Sequence, residues 1–476
     1  MSSLLTYARD IRFWIILFFF MRLYGITNPP LEAAHSWRQT TVSMVARNFL
    51  EVDANILYPR IDIAGTKTGI TGMEFPILNY AIYVVSKVFG YQHWYGRLIN
   101  LLVSSFGVFF FFQLIRKYFN KELAFKAAFI LLVSMWFAYS RKIMPDTFAT
   151  SFAIMSLFYG LAFFDQKQSY KNLFLYALFG LLGLLAKVPV IFLFSIFLLP
   201  IFSSKYELKT KLLFSGISTL MLIPVFAWYL YWVPYLVNEF GFWHFFMGGS
   251  LMDGMDAVFQ NIGVSMKQFY ANSVKYIAFV FFLLGLGFSI KNKEKKMISM
   301  FSVLFVSFLI IVFKSGDTFV RHSYYMIPFV PIMSLFAAYG IEQLKNKKLI
   351  ATILVLIAME GVFNQQQDFW LSENQKSLEL LEQDMNSISN SNDLIVINSG
   401  ENPTAMYFAH RKGWLLTNEA LQQQDELDAL YSQGCKYVLI LKTRFGTDLS
   451  LDEKLVLENK DYKIYALIRA KKKDDI

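Results

Sequence analysis

Four short stretches of this chain hold side chains able to do chemistry. In the first, residues 28–40, Glu32, His35, Arg38 and Gln39 crowd together just after an apolar run. Glu32 and His35 are three apart and His35 and Gln39 four apart, so a helical turn would set them on one face. A carboxylate or imidazole there could accept a proton from a hydroxyl. The same residues also suit a polar cap, with Glu32 near the positive end of the next helix. The second stretch is Arg141-Lys142-Ile143-Met144-Pro145-Asp146. Asp146 after a proline can cap a helix, yet two cations stand beside it. The third is Lys187, which interrupts the otherwise almost wholly apolar residues 180–199. It could snorkel to the interface, or reach an anion such as a phosphate at the break that Pro189 suggests. The fourth is 314–328, where Arg321 and His322 precede Tyr324 and Tyr325. Arg321 suits bidentate contact with phosphate, and the alternative is an interfacial belt of Arg and Tyr.

Other polar features point less clearly. His93 and His244 sit in aromatic-rich stretches that suit interface anchors, and the histidines are too scattered for a metal site by spacing. Cys435 is the one cysteine, which excludes an intramolecular disulfide and four-Cys zinc sites. No P-loop, G-x-S-x-G or G-x-G-x-x-G motif is present.

The elements that must position these residues are set by composition. The chain has 476 residues, 55% of them hydrophobic and 17% charged, against about 25% charged in soluble domains. Phenylalanine, at 50, outnumbers Lys and Arg together, at 45. A soluble fold of this length needs more polar surface, so a soluble enzyme, a disordered chain and a nucleic-acid-binding domain are poor fits. Eleven apolar stretches are candidate membrane spans, centred from near Phe18 to near Leu354. The first, residues 13–26, has no small-residue cleavage site after it and reads as a retained signal anchor.

The net charge of +10 gains meaning when divided by side. With the N-terminus cytoplasmic, one set of short loops holds most of the basic residues, among them Arg116, Lys205 and Lys296. The opposite loops hold few, chiefly Arg141, Lys142, Lys187, Lys314 and Arg321. The asymmetry is an orientation signal, and the few cations on the wrong side are candidates for a substrate's phosphate. Residues 28–94 then form an extracytoplasmic loop, in which 40–50 and 75–89 have the apolar spacing of interfacial helices. From residue 364 the composition changes. Strand-like segments at 394–398, 437–441 and 462–468 alternate with helical patterns at 374–387 and 417–432. The expected fold is thus an all-α polytopic membrane region, residues 1–363, with a small C-terminal α/β extracytoplasmic domain, residues 364–476.

An ordered series of features resembles the GT-C glycosyltransferases that use polyprenyl-phosphate sugars, especially the aminoarabinose transferase and protein O-mannosyltransferase branch. The likeness runs from the first span to about residue 345. Val45-Ala46-Arg47-Asn48-Phe49 with Ile56-Leu57-Tyr58-Pro59-Arg60 is similar to the family's interfacial helix and following turn. Glu74-Phe75-Pro76 is similar to its "E-K-P", Gly96-Arg97 to the start of its second span, and Pro145-Asp146 to its acidic residue after the third. Ala186-Lys187 is similar to its "T-K-G" lysine near the lipid phosphate, and Arg321–Pro328 to its "R-x-x-Y-x-x-P". The chain departs in two places. Arg38-Gln39 stand where the family has an Asp-Glu pair, and Phe75 replaces the lysine of "E-K-P".

The resemblance implies transfer of a sugar, with inversion, from a polyprenyl-phosphate carrier to a lipid, glycan or protein acceptor at the extracytoplasmic face. Glu32 or His35 would deprotonate or orient the acceptor hydroxyl. Lys187 and Arg321, with Arg141 as a further candidate, would hold the leaving phosphate. Asp146 would position a sugar hydroxyl or a cation, Glu74 would orient the donor, and Tyr325 would bond near the phosphate. Arg38, Gln39 and His322 complete the expected substrate contacts. No cofactor is required by the pattern, and a divalent cation stays open. The implied partners are the lipid-linked donor, membrane lipids and the acceptor, with no nucleic acid. The implied location is the inner membrane. A lipid-linked sugar flippase or transporter is the rival reading. It calls for broken, repeated helices around a midplane site, whereas no repeat is found and the polar residues collect at one face.

Overall fold

The computed structural model describes residues 9–32, 34–165, 169–241 and 249–468. His244 lies outside the described residues. The chain is mostly helical, with a five-stranded sheet near its C-terminus. The helices used below are α1 (Ile11–Arg22), α2 (Ser36–Glu51), α3 (Ile77–Phe89), α4 (Tyr95–Tyr118), α5 (Lys121–Val133), α6 (Pro145–Asp165), α7 (Tyr170–Ala186), α8 (Leu208–Phe240), α9 (Lys275–Lys291), α10 (Lys295–Ser315), α11 (Val330–Glu342) and α12 (Lys347–Phe363). Among the described residues, five helices are long and apolar enough to cross a membrane, or up to seven if each of two bent pairs is one span. Helices α7 and Val188–Phe202 are shorter and apolar.

Small residues let the helices approach. Gly285 of α9 meets the Phe336 carbonyl of α11, and Gly340 of α11 meets the Phe281 carbonyl of α9, so a Cβ at either would strike backbone. This mutual fit is the packing available to helices whose surroundings are as apolar as their interface. Gly361 of α12 meets the Val133 carbonyl at the end of α5 in the same way. Asn120 and Asn346 cap α5 and α12, each side chain accepting backbone N–H bonds from the first turn.

Three irregular segments shape the site. After α7, Lys187 is extended (φ −162°, ψ 104°), and a ten-residue 3-10 helix, Val188–Phe197, follows. Such runs rarely exceed three or four residues, and here Pro189 starts one. A second 3-10 stretch, Ser323–Phe329, precedes α11. The third is a π-turn, Ala227–Trp232, within α8. Its side chains tether the neighbouring backbone: Trp228 Nε1 donates to the Met73 carbonyl at 2.9 Å, and Tyr229 Oη to the Leu185 carbonyl at 2.8 Å.

The sheet consists of β1 (Leu394–Ile397), β2 (Gly413–Leu415), β3 (Cys435–Leu441), β4 (Lys454–Glu458) and β5 (Tyr462–Ala466), in the order β2-β1-β3-β5-β4. β1 is parallel to β2 and β3, whereas β5 is antiparallel to β3 and β4. One face packs on its own helix, Gln424–Ser432, through Leu427, Leu430, Val438 and Ile440. The other face joins Ile395, Ile397 and Leu439 in one core with Val45 and Phe49 of α2 and Tyr83 of α3. Strand alternation explains the division, since successive side chains face opposite sides.

Candidate active site

Lys187, Asp146 and Glu74 are each at most 5% exposed, and Arg38 joins them. Lys187 Nζ lies 3.6 Å from Asp146 Oδ1 and 3.7 Å from Glu74 Oε1, while Arg38 pairs with the same Glu74 oxygen. Four elements that are far apart in sequence supply these groups. Lys187 occupies the extended link after α7. Asp146 is in the first turn of α6 behind Pro145, where the helix N-terminus favours a carboxylate. Glu74 follows Met73, whose carbonyl Trp228 holds, and Arg38 is in the first turn of α2. Phe75 packs edge-on against Trp228, with centroids 4.8 Å apart. Arg38 therefore provides a cation beside Glu74, although Phe75 stands in the neighbouring position. Asp146 Oδ2 is buried with no hydrogen-bond partner among the described residues.

The wall of this cluster is aromatic. Lys187 Nζ lies 5.4 Å from the Tyr324 ring centroid and 5.8 Å from that of Tyr325, within cation–π range. His322 stacks on Tyr324. His35 sits at the start of α2 with a left-handed backbone (φ 67°), and its Nε2 is 2.6 Å from Tyr139 Oη, which is 2.8 Å from Ser323 Oγ. Burial, with lesser effects from Lys142 and His322, pushes the His35 imidazole down to about 3, so it is neutral near pH 7. Asp146 and Glu74 already share Lys187 and Arg38, so this donor set carries its own cations and does not fit a divalent metal. Among the described residues no group of three or more His, Cys, Asp or Glu could hold a metal ion.

Glu32, Gln39 and Arg141 belong to a second buried cluster. Glu32 precedes α2, its Oε1 pairs with Arg97, and its Oε2 accepts from Gln39 Nε2 at 2.9 Å. Gln39 Oε1 in turn accepts from the Ile143 N–H. Arg141 donates to the carbonyls of Asp368 (2.7 Å) and Tyr24 (2.9 Å), and Lys142 pairs with the Asp368 carboxylate at 2.6 Å. Arg321 is in neither group: its side chain is 72% exposed and pairs with Asp317. The structure thus brings together Lys187, Asp146, Glu74 and Arg38, with Tyr325 beside them. It also places His35 against Tyr324, at centroids 5.4 Å apart. Arg97, Tyr139, Tyr324 and Ser323 were not singled out from sequence as site residues. Arg97 is legible in the sequence as part of the Gly96-Arg97 entry to a span and not as a partner of Glu32, and Tyr139 carries no local signal.

The fold, a bundle of apolar helices with a polar cluster at broken helix ends and a small sheet domain, is matched by solved structures at low sequence identity. Residues 74–232, which hold Glu74, Asp146 and Lys187, match the sequence model of the family described as dolichyl-phosphate-mannose-protein mannosyltransferase. The fold is similar to that of ArnT from Cupriavidus metallidurans bound to undecaprenyl phosphate (TM-score 0.62, 11% identity, 95% of this chain and 98% of that one). It is also similar to the archaeal oligosaccharyltransferase AglB from Archaeoglobus fulgidus in complex with an inhibitory peptide and a dolichol-phosphate (TM-score 0.55, 11% identity, 90% of this chain and 69% of that one). The Archaeoglobus fulgidus oligosaccharyltransferase in complex with Zn and sulfate aligns with a TM-score of 0.56 at 11% identity, over 85% of this chain and 63% of that one. No curated protein matches the sequence.

Proposed function

We propose that this chain transfers a sugar from a polyprenyl-phosphate carrier to an acceptor at the extracytoplasmic face of the membrane. The observation that carries the reading is the buried Lys187 flanked by Asp146 and Glu74, with one Asp146 oxygen left without a hydrogen-bond partner among the described residues. A lysine and an arginine at one point suit a phosphate, and a carboxylate beside them suits a proton taken from a hydroxyl.

In this mechanism the acceptor hydroxyl attacks the anomeric carbon in a single displacement. Its proton goes to Asp146, the carbon–phosphate oxygen bond breaks, and the phosphate leaves with the electron pair. Lys187 and Arg38 stabilise that charge in a site where burial strengthens it. Glu74 holds both cations in place, and Tyr325 lines the donor's phosphate. Neutral His35, through Tyr139, orients the acceptor. Glu32 and Gln39 brace the start of α2 through Arg97 and the Ile143 N–H, and Arg321 and His322 meet the substrate at the rim. The catalytic region is residues 1–363, and the domain at 364–476 helps to select or shield the acceptor.

The membrane arrangement belongs to the same proposal. Eleven apolar stretches cross the bilayer, some as short or broken helices. The N-terminus is cytoplasmic in the inner membrane and the sheet domain lies outside, as the basic loops favour.

The test is purified chain in proteoliposomes with a radiolabelled polyprenyl-phosphate sugar and membrane extract. Label in a new glycosidic bond is the expected result. Labelled lipid carried across the bilayer with no new bond would overturn transfer in favour of a flippase.

A further inference from the structure

At the other end of the bundle lies a cavity of about 590 Å³, enclosed by α4, α6, the 3-10 segment, α10 and the start of α11. Helix α6 links the two ends. It starts at Asp146 in the cluster and finishes at Asp165 on the cavity's mouth, about 30 Å away at the rise of an α-helix. The shaft is apolar, walled by Ile115, Ile154, Leu193 and Ile332 among others, and the polar groups gather at the mouth. There Asp165 is already engaged, by Lys117 at 3.0 Å and by Tyr118 Oη at 2.6 Å. Lys205 and Lys296 also line the mouth and pair with no carboxylate among the described residues. Lys296 Nζ sits 4.5 Å from the Phe119 ring centroid, and Lys205 Nζ lies 5.3 Å from that of Tyr206.

We infer that this cavity is a second lipid site, for a membrane phospholipid with an anionic headgroup. Its occupant is distinct from the sugar donor, whose phosphate is assigned to Lys187. Lys296 Nζ also donates to the Tyr118 carbonyl, but neither cation has a carboxylate partner among the described residues, and two such cations above an apolar shaft complement a phosphate joined to an alkyl chain. A free phosphate leaves the shaft unused, and a zwitterionic lipid leaves the net charge of the mouth unanswered. Basic pockets between membrane helices bind anionic headgroups on this principle, and the volume lies in the range of small-molecule sites. Bound there, the lipid's chain would touch the 3-10 segment that begins beside Lys187, through Leu193 and Ile196.

The full chain in nanodiscs of equal phosphatidylglycerol and phosphatidylcholine, released for native mass spectrometry, tests this. Phosphatidylglycerol should be retained at one per chain with about tenfold preference or more, the scale two lysines give near an anionic headgroup. The Lys205→Ala/Lys296→Ala pair should abolish the preference, and Lys205→Arg/Lys296→Arg should keep it, which separates charge from folding. Ile332→Trp, which fills the shaft, should reduce retention of the lipid. Equal retention of both lipids by the unaltered chain, or a preference that survives the alanine pair, would overturn the site. Full displacement by millimolar glycerol phosphate would do so too, because it would mean that an anion binds without the chain. None of these readouts depends on sugar transfer.

Discussion

Two buried charged clusters lie near each other in this molecule, and they differ in how fully their carboxylates are used. In one, both oxygens of Glu32 have partners, Arg97 and Gln39, and Arg97 also donates to the Ile26 carbonyl. Lys142 and Asp368 pair beside them, and Arg444 reaches from the sheet domain to the Leu31 carbonyl at 2.7 Å. What lacks an acceptor there, among the described residues, is guanidinium Nε atoms, those of Arg97 and Arg141. In the other, Lys187 is shared between two carboxylates at 3.6 and 3.7 Å, and among the described residues Asp146 Oδ2 and Glu74 Oε2 have no hydrogen-bond partner, nor has Arg38 Nε. Burial and charge are common to both, so neither identifies a site. An acceptor left unsatisfied in a dry place is costly unless something fills it. On the proposed function, the first cluster is a clasp between the segment after α1, α4 and the tail, and the second is the seat for the ligand.

Substitutions can break this contrast. The largest effect is expected at Asp146. Asp146→Asn should lower transfer by about 10²–10⁴-fold, the range for losing a general base, while the thermal unfolding midpoint stays close to that of the parent. Next comes Glu32→Gln, which leaves Arg97 buried without a counter-charge and should destabilise by about 3–5 kcal/mol. The rate per folded molecule should change little, and a hundredfold drop in folded Glu32→Gln would make Glu32 the base. The Glu32→Leu/Arg97→Met pair should recover most of the lost stability in denaturant unfolding.

A third prediction concerns the junction between α2 and the tail. His410 lies 2.7 Å from Glu51 and 2.9 Å from Glu382. Burial alone would lower its pKa, but the hydrogen bonds to Glu382 and Glu51 carry it up to about 9. A raised folded-state value means that the charged form stabilises the fold. That contribution is full below the ordinary 6.5 and is lost as pH rises through about 9. The unfolding midpoint should fall over this window in the parent, and the His410→Ala chain should lose that part of the fall. The smallest effect belongs to Arg321→Ala. An exposed pair contributes little, so stability should not move. Transfer should drop by less than about tenfold, in keeping with a rim position far from the loss at Asp146.

The sequence made the open cluster more legible than the clasp. Lys187 stood out as a charge inside an apolar run, and Asp146 as a carboxylate after proline at the start of a helix. Both signals are local. The clasp is built from pairs such as Arg141 with the Asp368 carbonyl and Arg444 with Leu31. Those partners are hundreds of residues apart, and no spacing encodes them. Glu32 carries a reactive type in its local sequence, and its partners Arg97 and Gln39 are visible only in the fold. Arg321 sat in a suggestive motif, but the five-residue helix Asp317–Arg321 turns it toward Asp317 and solvent. In the tail, β1, β3 and β5 showed as apolar runs. β2 has three residues and β4 is largely exposed, so neither carried enough pattern to be seen.

The core that joins the sheet to α2 has a consequence for anyone who would dissect this chain. Val45 and Phe49 are buried with Ile395 and Leu439, while Arg38 on the same helix pairs with Glu74. The tail is consequently not a detachable module. Expressed alone, it would present a bare apolar face and aggregate. A chimera that borrows a relative's tail must borrow α2 and α3 as well, so that any exchange of the outer domain carries Arg38 along with it.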